Sequence, residues 1–259
     1  MRHRGAIIAL VACAPGAALA HASQHAVILT LPTQGFVWGA GLAVGLTALV
    51  TRLGTRLPAF TPHQLFARPT LLPDGLTGWL SAVLLLALIF AGLFGSRDPY
   101  ENPLPLMVWT VIWAGLTLMQ ALFGDLWCSL SPWVAPGRSL RTLLGRTDGI
   151  GLARFGHWPA VLGLCGFAWL EIIALAPEDP AHLAMILTAY AGIIFLLAVL
   201  EGEGWLAQGE FLTVFFTFIA RIAPLWSVTE GQRVSHFAGL PGARLLAQPP
   251  LSPSEIGFV

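Results

Sequence analysis

The sequence predicts an all-α fold, a polytopic bundle of about five or six transmembrane helices after a cleaved signal peptide. Three observations carry that reading. Of the 259 residues, 56% are hydrophobic and only 10% are charged, where a soluble domain carries about 25% charged residues. So few charges cannot wet the surface of a chain this size, which excludes a soluble globular enzyme, and the mean hydropathy is +0.76. The apolar residues fall in continuous runs without the period-2 alternation of barrel strands, and in hydrocarbon only helices and closed barrels satisfy every backbone N–H and C=O. The 13 basic and 13 acidic side chains cancel, so the basic excess that a nucleic-acid binder needs is missing and no nucleic-acid partner is expected.

Residues 1–20 have the order of a secretory signal: Arg2 and Arg4, the apolar run 6–14, then the small-residue exit Ala18-Leu19-Ala20. Cleavage there leaves His21 as the mature N-terminus, outside the cytoplasm. Leu10-Val11-Ala12-Cys13 offers a competing lipoprotein-type box on a very short apolar run. Cys128 and Cys165 sit in apolar stretches, so no disulfide framework is legible.

The helical membrane domain is expected over 21–226. Crossing about 30 Å of hydrocarbon takes roughly 17–25 helical residues, and runs of that kind lie at 35–50, 78–95, 106–123, 158–176 and 183–200. A weaker sixth, 211–226, carries Arg221 and ends near Pro224, so it lies in the interface or re-enters instead of crossing. Arg52, Arg56 and Arg68 fall between the first and second runs, and Arg138, Arg141, Arg146 and Arg154 between the third and fourth. The positive-inside rule makes both loops cytoplasmic, in agreement with an exported N-terminus and a multi-pass inner-membrane location. Residues 227–259 read as a polar Gly/Pro-rich tail that leads on to further spans, supplied by a second membrane polypeptide or lost by truncation.

Candidate chemistry is spread along the chain. Asp98, Glu101 and Asn102 stand among Pro99, Pro103 and Pro105 before the third span, either as a rigid outer loop or as a site where carboxylates and an amide bind a cation or activate water. Trp109 and Gln120 lie within that span and, with Asn102, are candidates for substrate contact. Asp125 follows Gln120 by about a turn, as a polar seam or as an acceptor for the ring N–H groups of Trp127 and Trp133 or for a neighbouring helix. Glu171 is a carboxylate without a charged neighbour in its own span, and such groups face a bundle interior; Arg221 is its natural counter-charge. Glu201, Glu203 and Glu210, with Gln208, form a Gly-spaced acidic patch, read as a solvated turn or an entrance. His21 offers an α-amine and an imidazole to a copper ion, with His25 as a third nitrogen. His157, His182 and His236 are isolated, and no HExxH, phosphate loop, nucleophile elbow or dinucleotide fingerprint is present.

Gly95-Ser96-Arg97-Asp98-Pro99-Tyr100-Glu101-Asn102-Pro103, then Leu122-Phe123-Gly124-Asp125-Leu126-Trp127 with Ser131-Pro132-Trp133, and Gly209-Glu210-Phe211 followed by Ala220-Arg221-Ile222-Ala223-Pro224, resemble the bacterial membrane protein family known as fenitrothion hydrolase. The resemblance runs from Phe36-Val37-Trp38 onward. It implies cleavage of the aryl ester of an organophosphorus triester with release of a nitrophenol. Such a reaction needs activated water and charge stabilisation at the phosphoryl oxygen, commonly from a divalent metal. Asp98, Glu101, Asp125 and Glu171 would supply ligands or bases and Arg221 would stabilise the anion, although Asp98 and Asp125 belong at opposite membrane faces. Relatives continue with further spans past the segment matching 249–253. The competing readings are a copper-handling or transport subunit, on His21 and His25, and a non-catalytic assembly subunit.

Overall fold

A computed structural model of the protein describes residues 33–54, 62–69, 75–231, 233–242, 244–245 and 249–259. The signal segment, His21 and His25 lie outside the described residues. The chain divides into two compact units, Met1–Pro58 and Ala59–Val259. In the first, α1 (Thr33–Gly54, 22 residues) contains the predicted 35–50 run.

The second unit is mostly helical. Among the described residues, three helices are long and apolar enough to cross a membrane: α2 (Leu76–Phe94), α3 (Pro103–Phe123) and α7 (Pro180–Glu201). They coincide with the predicted 78–95, 106–123 and 183–200 runs. The other two predicted spans are shorter than expected. Helix α6 (Trp158–Ile172) has 15 residues, because the chain turns through Ala176 at φ 52 before Pro177. Helix α9 (Phe211–Ala220) has 10, and the chain beyond Pro224 becomes a strand instead of continuing the predicted 211–226 run. Short helices α4 (Trp127–Leu130), α5 (Val134–Leu143) and α8 (Glu203–Gly209) connect these elements.

The prolines and caps set the helix starts. Asn102 accepts the Leu104 N–H while Pro103, which has no N–H to leave unpaired, opens α3. From Leu106 to Leu116 this helix is wound as a π-helix. Asp179 accepts the His182 N–H at the start of α7 and pairs with Arg97 at 3.1 Å, joining the two turns at that end of the bundle. Helices α2 and α7 pack closely at Gly92, where a Cβ would lie 2.4 Å from Leu104, 2.7 Å from the Ala184 Cβ and 2.9 Å from the Pro180 carbonyl. The apolar core there consists of Leu88, Leu104, Leu170, Leu183 and Ala184.

The all-α expectation is corrected by a small sheet. β1 (His63–Pro69), β2 (Leu225–Glu230) and β3 (Arg233–Ala238) form an antiparallel sheet in the order β1-β3-β2, with Trp226 opposite Phe237 and Glu230 opposite Arg233. The predicted irregular tail therefore contains a hairpin, and it ends in α10 (Pro253–Phe258), opened by a reciprocal cap between Ser252 and Glu255.

Candidate functional site

Glu210 stands at the break between α8 and α9, which together make a helical hairpin. The chain leaves α7 through Gly202 at φ 107 and turns back as α8 beside α6 and α7. Glu210 is extended (φ −95, ψ 120), and α9 then descends against α3 and α6. Gly209 allows the reversal, since any Cβ there would sit 2.2–2.5 Å from the buried Trp205 ring.

The Glu210 side chain is 0% exposed. It accepts the N–H groups of Leu212 at 2.9 Å and Thr213 at 2.6 Å, which caps α9. The hydroxyls of Tyr190 and Thr213 also donate to it. Four donors on two oxygens is the complement of an ionised carboxylate, which only accepts. Tyr190 precedes the last residue of α7 by eleven positions, about 16 Å along the helix at 1.5 Å per residue. The carboxylate is thus held well inside the bundle. This corrects the expected acidic patch: Glu201 accepts the N–H groups of Ile150 and Ala153, Glu203 pairs with Arg138 at 2.7 Å, and Glu210 is internal.

Beside the hairpin is a cavity of about 920 Å³. Its walls come from α2, α3, α4, α6, α7 and α9, and include Leu88, Trp113, Phe167, Leu187, Tyr190 and Phe211. The π-helical middle of α3 has no buried residues and lines the cavity, and it meets its neighbours through aromatic rings. Trp113 lies 4.5 Å from Phe167 and 5.0 Å from Phe215, centroid to centroid. The polar groups gather around Tyr190. Trp127 donates its indole N–H to Thr213 at 3.0 Å, and Trp133 meets the Tyr190 ring edge-on at 5.9 Å with its own buried indole N–H unpaired.

No protein-family model, curated protein or solved structure matches the chain.

The residues singled out from sequence are distributed over both ends of the bundle. At one end, Asp98 accepts the Tyr100 N–H at 2.9 Å, Glu101 accepts the Ser96 hydroxyl at 3.0 Å, and Asn102, 3% exposed, donates to the Ala91 and Ser96 carbonyls. These contacts tie α2 to α3. Trp109 donates to the Pro177 carbonyl at 3.3 Å, which fastens α3 to the turn before α7.

At the other end, Gln120 is buried and accepts the Leu126 N–H at 2.7 Å. Asp125 accepts the Cys128 N–H at 3.1 Å and the Thr217 hydroxyl at 3.4 Å. Of the two expected partners it therefore serves the neighbouring helix, α9, and not a Trp ring, since Trp127 turns its ring N–H to Thr213. Although Asp125 keeps an exposed tip, its dense surroundings raise the carboxyl above its usual range. Cys128 is likewise exposed, yet its dense surroundings, then the Asp125 charge, push the thiol up to about 11.

Glu171 is exposed in the last turn of α6, not turned into the bundle as expected. Arg221 does not serve it. The guanidinium pairs with Glu255 at 3.4 Å and lies over the Phe218 ring at 4.1 Å. Among the described residues no group of three or more His, Cys, Asp or Glu is placed to hold a metal ion.

Sequence reasoning missed Tyr190, gave Trp133 a different partner, and read Glu210 as part of a solvated turn or an entrance. A signal for Glu210 was present: an acceptor side chain directly before the apolar run Phe211-Leu212 is the pattern of a helix N-cap.

Proposed function

We propose that this chain is a multi-pass membrane protein that admits a lipid-soluble aryl ester into the cavity beside α3 and hydrolyses it, as the resemblance to fenitrothion hydrolases implies. The observation that carries this reading is the cavity of about 920 Å³, walled by apolar and aromatic side chains, with Tyr190 in its wall hydrogen-bonded to the buried Glu210 behind it. Its size and lining are those of a site for a drug-sized apolar molecule, and an organophosphorus triester has both the aryl group and the low polarity to enter it from a bilayer. In the proposed arrangement α1, α6 and α9 add to the three long helices to make the five or six bilayer segments. The end bearing Arg138, Arg141, Arg146 and Arg154 faces the cytoplasm of a cell with this chain in its inner membrane.

The chemistry is general-base activation of water. A water molecule on the Tyr190 oxygen gives up a proton as the Tyr190 hydroxyl passes its own to Glu210. The hydroxide forms the new P–O bond while the P–O(aryl) bond breaks and the nitrophenolate leaves. Positioned proton transfer of this kind contributes roughly 10²–10⁴-fold to a rate. Tyr190→Phe is therefore expected to lower nitrophenol release from a nitrophenyl phosphorothioate triester by about 10²-fold in membranes carrying equal amounts of folded protein. Loss of activity with Glu171→Gln and none with Tyr190→Phe would move the reaction to the outer face of α6 and overturn the cavity reading.

A further inference from the structure

We infer that the end of the bundle at the C-terminus of α7 carries a binding site for the phosphate of an anionic phospholipid headgroup. A recess of about 190 Å³ there is lined by Arg138, Arg141, Thr142, Arg146, Thr147 and Glu203. Three guanidinium groups face one carboxylate, and backbone carbonyls hold two of the three in place. Arg141 donates to the Val199 carbonyl at 2.8 Å and to the Thr147 carbonyl at 3.1 Å, and Arg146 donates to the Leu200 carbonyl at 3.4 Å. Carbonyls at a helix C-terminus orient a cation without neutralising it. The Arg146 Nε–H is buried without an acceptor, so the outward edge of the guanidinium is the part left to an anion. Only Arg138 is paired with a side chain, the half-exposed Glu203 at 2.7 Å.

What surrounds the recess identifies a lipid as the source of the phosphate. Leu143 and Leu144, 82% and 59% exposed, close α5 directly beside the arginines, and Ile150 and Phe155 are exposed nearby in the chain. Apolar side chains displayed among guanidinium groups at the end of a membrane-crossing helix match the boundary between acyl chains and headgroups. A free anion would use the arginines and have no use for the leucines.

The test uses the purified full-length chain in a neutral detergent, with lipid retention read by native mass spectrometry. Phosphatidylglycerol, phosphatidylcholine and inorganic phosphate are offered separately. The expected result is about tenfold higher occupancy by phosphatidylglycerol than by phosphatidylcholine, from the attraction of basic residues for anionic lipid. Inorganic phosphate should fail to displace it. Thr142→Glu places a negative charge in the recess without removing a guanidinium anchor, and should abolish the preference while the thermal unfolding midpoint in detergent alone stays unchanged. Leu143→Ser with Leu144→Ser should weaken lipid retention and leave the arginine recess intact. Equal occupancy by the two lipids, a preference that survives Thr142→Glu, or full displacement by inorganic phosphate would each overturn the assignment.

Discussion

Glu210 shows how one side chain can be visible in a sequence and its surroundings not. The Gly-spaced run Gly202-Glu203-Gly204 through Gly209-Glu210 has the composition of a solvated turn, and Glu201 and Glu203 behave that way. The same glycine that suggests a turn, Gly209, instead makes room for the Trp205 ring, and the decisive donor, Tyr190, is twenty residues away on another helix. Local pattern cannot report such a partner. Glu210→Ala would leave two backbone N–H groups and two hydroxyls unpaired in the interior, and a cost on the order of 3 kcal/mol is expected from abandoned buried donors. Tyr190→Phe removes one donor and should cost about 1 kcal/mol. Denaturant unfolding of the two variants in the same detergent measures the difference. Cys128 gives a second expectation at this scale. The residue is exposed, and its thiol is raised to about 11 by partial desolvation and, second, by the charge of Asp125. Maleimide labelling should therefore keep accelerating with pH through 9 and 10, since the thiolate is the reacting form, and Asp125→Asn should speed it at any pH below that range. Labelling that levels off near pH 8.5 in the wild type would show that the thiol is not raised.

The elements were legible in proportion to how much of their stability is local. Helices α2, α3 and α7 are long apolar runs with prolines or an Asx cap at two of their starts, and hydropathy finds them. Helices α6 and α9 were over-extended, because an apolar run continues through 173–176 and 221–226 while the backbone turns at Ala176 and Pro224. The strands were missed because six or seven residues of mixed polarity become a sheet only through pairing, and β1 is separated from its partner β3 by most of the chain. Close helix packing depends on facing residues in the same way. An added methyl at Gly92 would meet Leu104, the Ala184 Cβ and the Pro180 carbonyl at 2.4–2.9 Å, whereas one at Gly192 on α7 meets nothing within 4 Å. Gly92→Ala should destabilise by roughly 1–3 kcal/mol through overpacking. Gly192→Ala should be neutral or stabilising by up to about 1 kcal/mol, the helix preference of Ala over Gly. At the start of α7, the His182 N–H and then Arg97 hold the Asp179 carboxyl below its ordinary 3.8. A carboxyl lowered in the folded state contributes stability above its unfolded pKa and loses it as pH falls through the folded value. The unfolding midpoints of wild type and Asp179→Asn should therefore differ at pH 6 and converge as the pH falls below 3.8.

At the scale of the whole molecule, the sequence candidates separate into those that hold the second unit together and those left on its surface. Asn102, Gln120 and Trp109 join neighbouring elements, Asp98 and Asp125 organise turns at opposite ends, and Arg221 fastens α10 through Glu255. None of them lines the cavity, which no linear pattern describes because six helices contribute to it. If that space holds the ester and Tyr190 acts on it, filling and chemistry should separate kinetically. Gly166 on α6 lines the cavity, and a Cβ there would meet no atom within 4 Å, so Gly166→Phe adds bulk at this wall at a position with room for a side chain to start. It should raise KM for the nitrophenyl triester with a smaller effect on kcat, the signature of lost binding common to ground and transition states. Tyr190→Phe should do the reverse, lowering kcat with KM little changed. A Gly166→Phe enzyme with unaltered KM would mean that the ester does not bind against the Gly166 wall of α6.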